Sequence, residues 1–152
     1  MVNGHSAAHH DLETVLSAFT GFPQALLFST GYMVNIGMVT ALAGREDAVF
    51  ADKLNHASLN DAVLLSRAQF IRYPHCDLAA LEQRLATVQA RRKLVISDAV
   101  FSMEGDIAPI QRLIALCERY HAWLLLADAH GFGVLGEQGR GSLFLPENAH
   151  SH

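Results

Sequence analysis

A chain of 152 residues with 51% apolar and 17% charged side chains has the size and make-up of one folded domain, which excludes a disordered chain. A formal charge of -4, with its basic residues scattered, excludes an electrostatic footprint for nucleic acid, and every apolar run is too short to span a membrane. No basic-then-apolar leader opens the chain, and Cys76 and Cys117 lack any C-x-x-C spacing, so both read as reduced thiols of a cytoplasmic protein.

In chain order, "SAAHHDLETVLSAFTGF" carries apolar residues at helical spacing and stops at Gly21. "QALLFS" reads as a first short strand, and "GYMVNIGMVTALAG" as a helix opening directly after it. "DAVFAD" is a second strand, "HASLNDAVLLSRA" a helix, and "QFIRY" a third strand. "DLAALEQRLATVQARR" is the clearest amphipathic helix, with Asp77 placed as its N-cap. "KLVISDAV" is a fourth strand, "APIQRLIALCERYH" a helix with Pro109 near its first turn, and "AWLLLAD" a fifth strand. These strands are apolar throughout instead of alternating, as strands covered on both faces are. The reading is an α/β fold in three layers, α/β/α, around a mostly parallel sheet.

Nine histidines are many for this length. His5, His9 and His10 cluster near the start and His150 and His152 at the finish. His5 and His9 would share a helix face, as zinc ligands can, but no H-E-x-x-H or companion acid-and-cysteine set accompanies them. A solvated helix start is the reading, with no metal site.

Ligands of parallel sheets bind outside the carboxyl ends of the strands. After the first expected strand stand Ser29, Thr30, Gly31 and Tyr32 at a helix start. That is an anion cradle or, more simply, a capped turn. His56 opens the next helix; alone it is an ordinary cap. "SDAVFSMEGDIAP" places Asp98, Ser102, Glu104 and Asp106 in one loop, and "ADAHGFG" ends the last strand with Asp128 and His130. Each signal is weak alone, and their convergence on one sheet edge points to a phosphorylated cofactor. Gly131, Gly133 and Gly136 have G-x-G-x-x-G spacing, yet no helix pattern follows them and no partner acid stands about 20 residues on, so a dinucleotide site is rejected.

Taken together, "ALLFSTGYMVNIG", "ADKLNHASLNDA", "SDAVFSMEGDIAP" and "DAHGFGVLGEQGRGS" resemble the α-oxoamine synthases, which are fold-type-I pyridoxal 5′-phosphate (PLP) enzymes. The resemblance runs from about Asn3 to about Leu143 and implies that the chain is part of the large, cofactor-holding domain of a PLP-dependent acyltransferase. It implies that Gly31 and Tyr32 hold the cofactor phosphate through backbone amides. His56 stacks on the pyridine ring as the catalytic imidazole, Ser102 supplies a hydroxyl, His130 bonds the phenolic oxygen, and Asp98 is an acid beside the cofactor. The implied reaction is decarboxylative condensation of an amino acid, L-alanine in the branch whose wording is nearest, with an acyl-CoA or acyl-carrier-protein thioester. It is carried out by a homodimer.

Two departures stand out. The acid that pairs with the pyridinium nitrogen in this family lies three residues before the strand-end histidine; here that residue is Ala127, and Asp128 matches the neighbouring acid. Successive strand side chains face opposite ways, so Asp128 does not substitute without a register shift. The family's Schiff-base lysine lies in a Thr/Gly/Lys-rich segment past this strand, and the lysines here, Lys53 and Lys93, do not match it. Residues 1–152 are therefore expected to be a partial cofactor domain without the N-terminal arm, the lysine segment or the C-terminal domain, and inactive alone. The alternatives are a non-catalytic remnant that binds PLP weakly and a sister synthase that uses glycine or serine.

Overall fold

Four strands, β1 (Ala48–Asp52), β2 (Gln69–Tyr73), β3 (Lys93–Asp98) and β4 (Trp123–Ala127), form one parallel sheet in the order β2-β1-β3-β4. The structure is a computed structural model that describes residues 4–146; His150 and His152 lie outside the described residues. Five helices complete it: α1 (Ala7–Thr20), α2 (Gly31–Leu42), α3 (Ala57–Ser66), α4 (Leu78–Thr87) and α5 (Ile110–Arg119).

The strands' apolar runs divide by period two between two cores. Ala48, Phe50 and Val95 pack with α4 and α5 residues such as Leu81, Leu85, Leu113 and Cys117. Val49, Ala51, Leu94 and Ile96 pack with Val39 of α2 and Leu59, Ala62 and Val63 of α3. The sheet is thus covered on both faces, and the expected three-layer α/β/α architecture is present. Every residue of β1 is buried, as a central strand requires. Both cysteines are free thiols.

Local chemistry sets the element ends. Gly21 closes α1 in the left-handed region at φ 77°, its N–H returning to the Ser17 carbonyl. Asp77 caps α4 by accepting from the Ala80 N–H at 2.9 Å. That helix ends at Thr87, short of the expected Arg92, because Val88 is extended and Lys93 Nζ takes up the Leu85 carbonyl in the last turn. Pro109 is the N-cap of α5, where its missing N–H costs nothing.

One expected element is absent. "QALLFS" is an extended segment without strand pairing, not a first strand. Its Leu26 is 75% exposed, and its Leu27 N–H is met by the Glu13 side chain of α1 instead of a neighbouring strand. An apolar run becomes a strand only where an edge accepts its ladder, and neither edge strand, β2 or β4, pairs with this segment.

At the start of the chain the rings of His5 and His9 stack with centroids 5.6 Å apart, on one side as their spacing suggests. His9 accepts from the Ser6 N–H and bonds its hydroxyl, closing a capping box, while His5 stands with His10 and Glu13. Glu13 is thus an acid beside these histidines, 3.5 Å from His5 Nε2, with no cysteine in the group.

Candidate functional site

The carboxyl ends of the four strands point one way, and the turns that leave them carry most of the chain's unspent polar chemistry. On the α2/α3 face the central pair is His56 and Asp98. Asp98 ends β3 and continues the Leu94, Ile96 side of that strand, so its side chain faces α3. Its Oδ2 accepts from the His56 N–H at 2.7 Å. The preceding residue, Asn55, locks the loop: its Nδ2 donates to the Ile96 carbonyl at 3.0 Å and its Oδ1 accepts from the Asp98 N–H at 3.0 Å. Burial raises the Asp98 carboxyl above the usual range, against the His56 N–H and the imidazoles of His56 and His130.

His56 is both cap and candidate ligand. Its Nδ1 accepts from the Ser58 N–H at 3.2 Å, which makes it the N-cap of α3. Ser58 Oγ lies 2.7 Å from the same nitrogen and accepts from Asn35 Nδ2 of α2 at 2.9 Å. A backbone N–H can only donate, so Nδ1 is unprotonated and a neutral ring carries its proton on Nε2. The ring is thereby held in one orientation by both helices, while the residue stays exposed.

Gly31 and Tyr32 begin α2. Thr30 Oγ1 caps it by accepting from the Met33 N–H at 3.2 Å, and helix geometry leaves the first two N–H groups without intrahelical partners. No atom lies within 4 Å of where a Cβ on Gly31 would sit, and Tyr32 is exposed. These amides and His56 belong to one framework through the Asn35–Ser58 bond. His130 lies in the exposed turn after β4, near enough for its charge to act on Asp98. Ser102 is exposed in the turn after Phe101, and no side-chain hydrogen bond ties it to the other five expected residues among the described residues. The structure thus joins His56 and Asp98 by a hydrogen bond, links His56 through Ser58 and Asn35 to the helix that begins with Gly31 and Tyr32, and leaves His130 and Ser102 on turns of their own.

Asp128 has a different occupation. Leu124 and Leu126 of β4 face α5, whereas Leu125 and Ala127 face α2 and α3, so Asp128 turns toward the α5 side. Its Oδ2 accepts from the Ser142 N–H at 2.7 Å and its Oδ1 from Ser142 Oγ at 2.7 Å. Gly131 is obligatory here: a Cβ would collide with Ser142 Oγ and Asp128 Oδ1. Of the glycines in the nucleotide-like spacing, Gly131 lies against this carboxylate, whereas Gly136 packs against the Gly141 carbonyl.

A second cluster escaped the strand-end survey, which passed over β2. Beyond Tyr73, the imidazole of His75 bridges Asp52 (Nδ1 to Oδ1, 3.1 Å) and Asp106 (Nε2 to Oδ2, 3.0 Å), and Cys76 N–H donates to Asp52 Oδ2 at 2.8 Å. Burial works against the imidazolium, but the two carboxylates outweigh it and hold His75 above its ordinary value. Burial also pushes the Cys76 thiol up to about 11, so it is not a thiolate at neutral pH. Asn55, Asn35 and Ser58 were likewise unmarked. The signal available for Asn55 and His75 was their position directly after strands, in "ADKLNH" after the buried β1 and "YPHCD" after the edge strand β2.

The lysines do not approach the pair. Lys93 starts β3 at its amino end and Lys53 is exposed just after β1. The groups that do converge fit a phosphorylated aromatic ring in kind: two free amides for a phosphate, an oriented imidazole face and a buried carboxylate.

Comparison with known proteins agrees with that fit. The model of the aminotransferase class I and II family matches residues 3–149. The chain is similar to 8-amino-7-oxononanoate synthase of Nitrosospira multiformis, at 75% identity over 94% of this chain and 36% of that protein. It is 68% identical to the Nitrosomonas eutropha protein of the same name, over 97% of this chain and 38% of the relative. Among solved structures, serine palmitoyltransferase of Sphingomonas wittichii superposes with a TM-score of 0.89 at 40% identity, covering 93% of this chain and 36% of that one. The 8-amino-7-oxononanoate synthase of Francisella tularensis gives 0.79 at 30%, covering 94% and 41%. The chain spans little more than a third of the curated relatives it matches.

Proposed function

The chain belongs to the aminotransferase class I and II family, and from that premise we propose that it forms the cofactor-holding part of an 8-amino-7-oxononanoate synthase. The activity proposed is condensation of L-alanine with a pimeloyl thioester, on CoA or a carrier protein, with loss of CO2. The observation that carries the reading is 75% identity to a synthase of that name across a stretch holding His56, Asp98 and His130.

In this reading PLP, when bound, supplies the electron sink for the carbanion derived from the amino acid. The chain's residues bind and orient. Gly31 and Tyr32 present free amides to the phosphate, with the positive end of α2 behind them. His56 offers a ring face fixed by Ser58, and Asp98 holds the His56 backbone by accepting from its N–H. His130 donates toward the phenolic oxygen, and Ser102 contributes a hydroxyl from its loop. A homodimer is proposed as well, supported by Leu26, Phe28, Tyr32 and Met33, apolar and exposed around the start of α2. The cytoplasm is the proposed location; no described helix is long and apolar enough to cross a membrane.

Ala127 favours a second reading, a remnant that binds PLP without turnover. A sister synthase such as 2-amino-3-ketobutyrate CoA ligase is the weaker rival, because the high sequence identities fall on the oxononanoate branch. The test is a chimera in which this chain replaces the matching 143-residue stretch of the N. multiformis relative. The proposal expects a folded chimera that condenses L-alanine with pimeloyl-CoA in preference to glycine with acetyl-CoA. A folded, PLP-loaded chimera without condensation supports the remnant instead.

A further inference from the structure

Position 127 carries no acid, yet the space beside it is not without one. In the β3–β4 ladder Asp98 is the register partner of Ala127. Both residues continue the side of their strands that faces α2 and α3: Leu94 and Ile96 precede Asp98, and Leu125 precedes Ala127, all in the same core. Paired residues of neighbouring strands lie about 5 Å apart with side chains parallel. An alanine methyl leaves that space open, so a carboxylate on one strand reaches the place that a carboxylate on the other would fill. Asp128 cannot reach it, since both its oxygens are held by Ser142 on the opposite face.

Asp98 also has the capacity to serve. Oδ2 is committed to the His56 N–H, and Oδ1 accepts no hydrogen bond among the described residues. The network of Asn55 with the Ile96 carbonyl and the Asp98 N–H fixes the backbone that aims it. The residue is 8% exposed, a buried acid with one oxygen unspent. Such a group costs folding free energy unless a cation or donor meets it.

We propose that Asp98 is the positioning acid that pairs with the protonated ring nitrogen of bound PLP, from β3, in place of the acid absent at position 127 of β4. The proposal rests on the reading of this site as a PLP site. It makes Ala127 a change compensated across one rung of the ladder, not a loss of the cofactor's partner.

The experiment is NMR of the purified 152-residue chain with PLP labelled with 15N in the ring, alongside equilibrium dialysis for the affinity. In the unaltered chain the ring nitrogen is expected at its protonated position at neutral pH. Asp98→Asn retains an acceptor for the His56 N–H, and it should move the resonance to the unprotonated position and weaken binding about ten- to hundredfold. Adding Ala127→Asp to that variant should restore both, a rescue that a merely structural Asp98 would not allow. If Asp98→Asn does not fold, Ala127→Asp alone decides. It leaves the resonance unchanged when Asp98 already serves the nitrogen, and shifts it to the protonated position when nothing does. An unprotonated nitrogen in the unaltered chain, or one indifferent to Asp98→Asn, overturns the proposal while leaving the PLP site standing. A double variant that binds PLP with its nitrogen unprotonated overturns it too. No bound PLP overturns the site reading and this inference together.

Discussion

The carboxyl ends of the strands carry polar residues on both faces of the sheet, and the two faces spend them differently. On the α4/α5 face the network is closed: Asp52 is taken by His75 and Cys76, His75 by two carboxylates, and Asp128 by Ser142 through both oxygens. On the α2/α3 face it is open: the amides of Gly31 and Tyr32 lack helix partners, His56 is fixed at Nδ1 alone, and Asp98 has one oxygen engaged. A polar residue after a buried strand is thus no sign of a ligand until its hydrogen bonds are counted. The closed face holds loops in place; the open face has capacity for something else.

Substitutions break this comparison most strongly on the closed face. Asp128→Ala should cost about 2–4 kcal/mol, because the Ser142 N–H and hydroxyl lose a charged acceptor, and urea unfolding measures it. Ligand binding at His56 should survive that change wherever the chain remains folded. Gly131→Ala should follow at about 1–3 kcal/mol, since its Cβ displaces the Asp128 carboxylate from Ser142. Thermal unfolding that shows no loss for Gly131→Ala would contradict this packing of Asp128 against Ser142.

The open face responds the other way. Ser58→Ala removes a partner of His56 Nδ1 and should cost only about 1 kcal/mol, yet it frees the ring and should weaken PLP binding severalfold by dialysis. The smallest effect is a pH dependence. His75 is held above its unfolded value of about 6.5, so its contribution is fully present below that pH and is lost as pH rises through the higher folded value. Asp106→Asn should flatten that part of the stability curve, read from unfolding midpoints between about pH 6 and 8.

The layers and the parallel sheet were legible because strands covered on both faces have apolar runs that no half-exposed strand shows, as in "AVFAD" and "KLVISD". The same rule misread "QALLFS", since a run of apolar residues does not say whether an edge is free to pair with it. At the site, His56, Asp98 and His130 were legible from their places at strand ends. Which face each served was not, because Ala127 and Asp128 differ by a single step and only the register of β4 against β3 assigns them. Asn55 and Ser58 were invisible for a related reason. Their roles lie in bonds to partners 41 and 23 residues away, the Ile96 carbonyl of β3 and Asn35 of α2, and no local pattern encodes such bonds.

The open α2/α3 face is the proposed cofactor site. The direct measurement is a PLP titration of the 15N-labelled chain followed by amide shifts. Saturable shifts at Gly31, Tyr32, His56 and Asp98, with Ser142 unmoved and the response lost in His56→Ala, are the predicted result. Shifts centred on residues 131–144, or none at the start of α2, would contradict it.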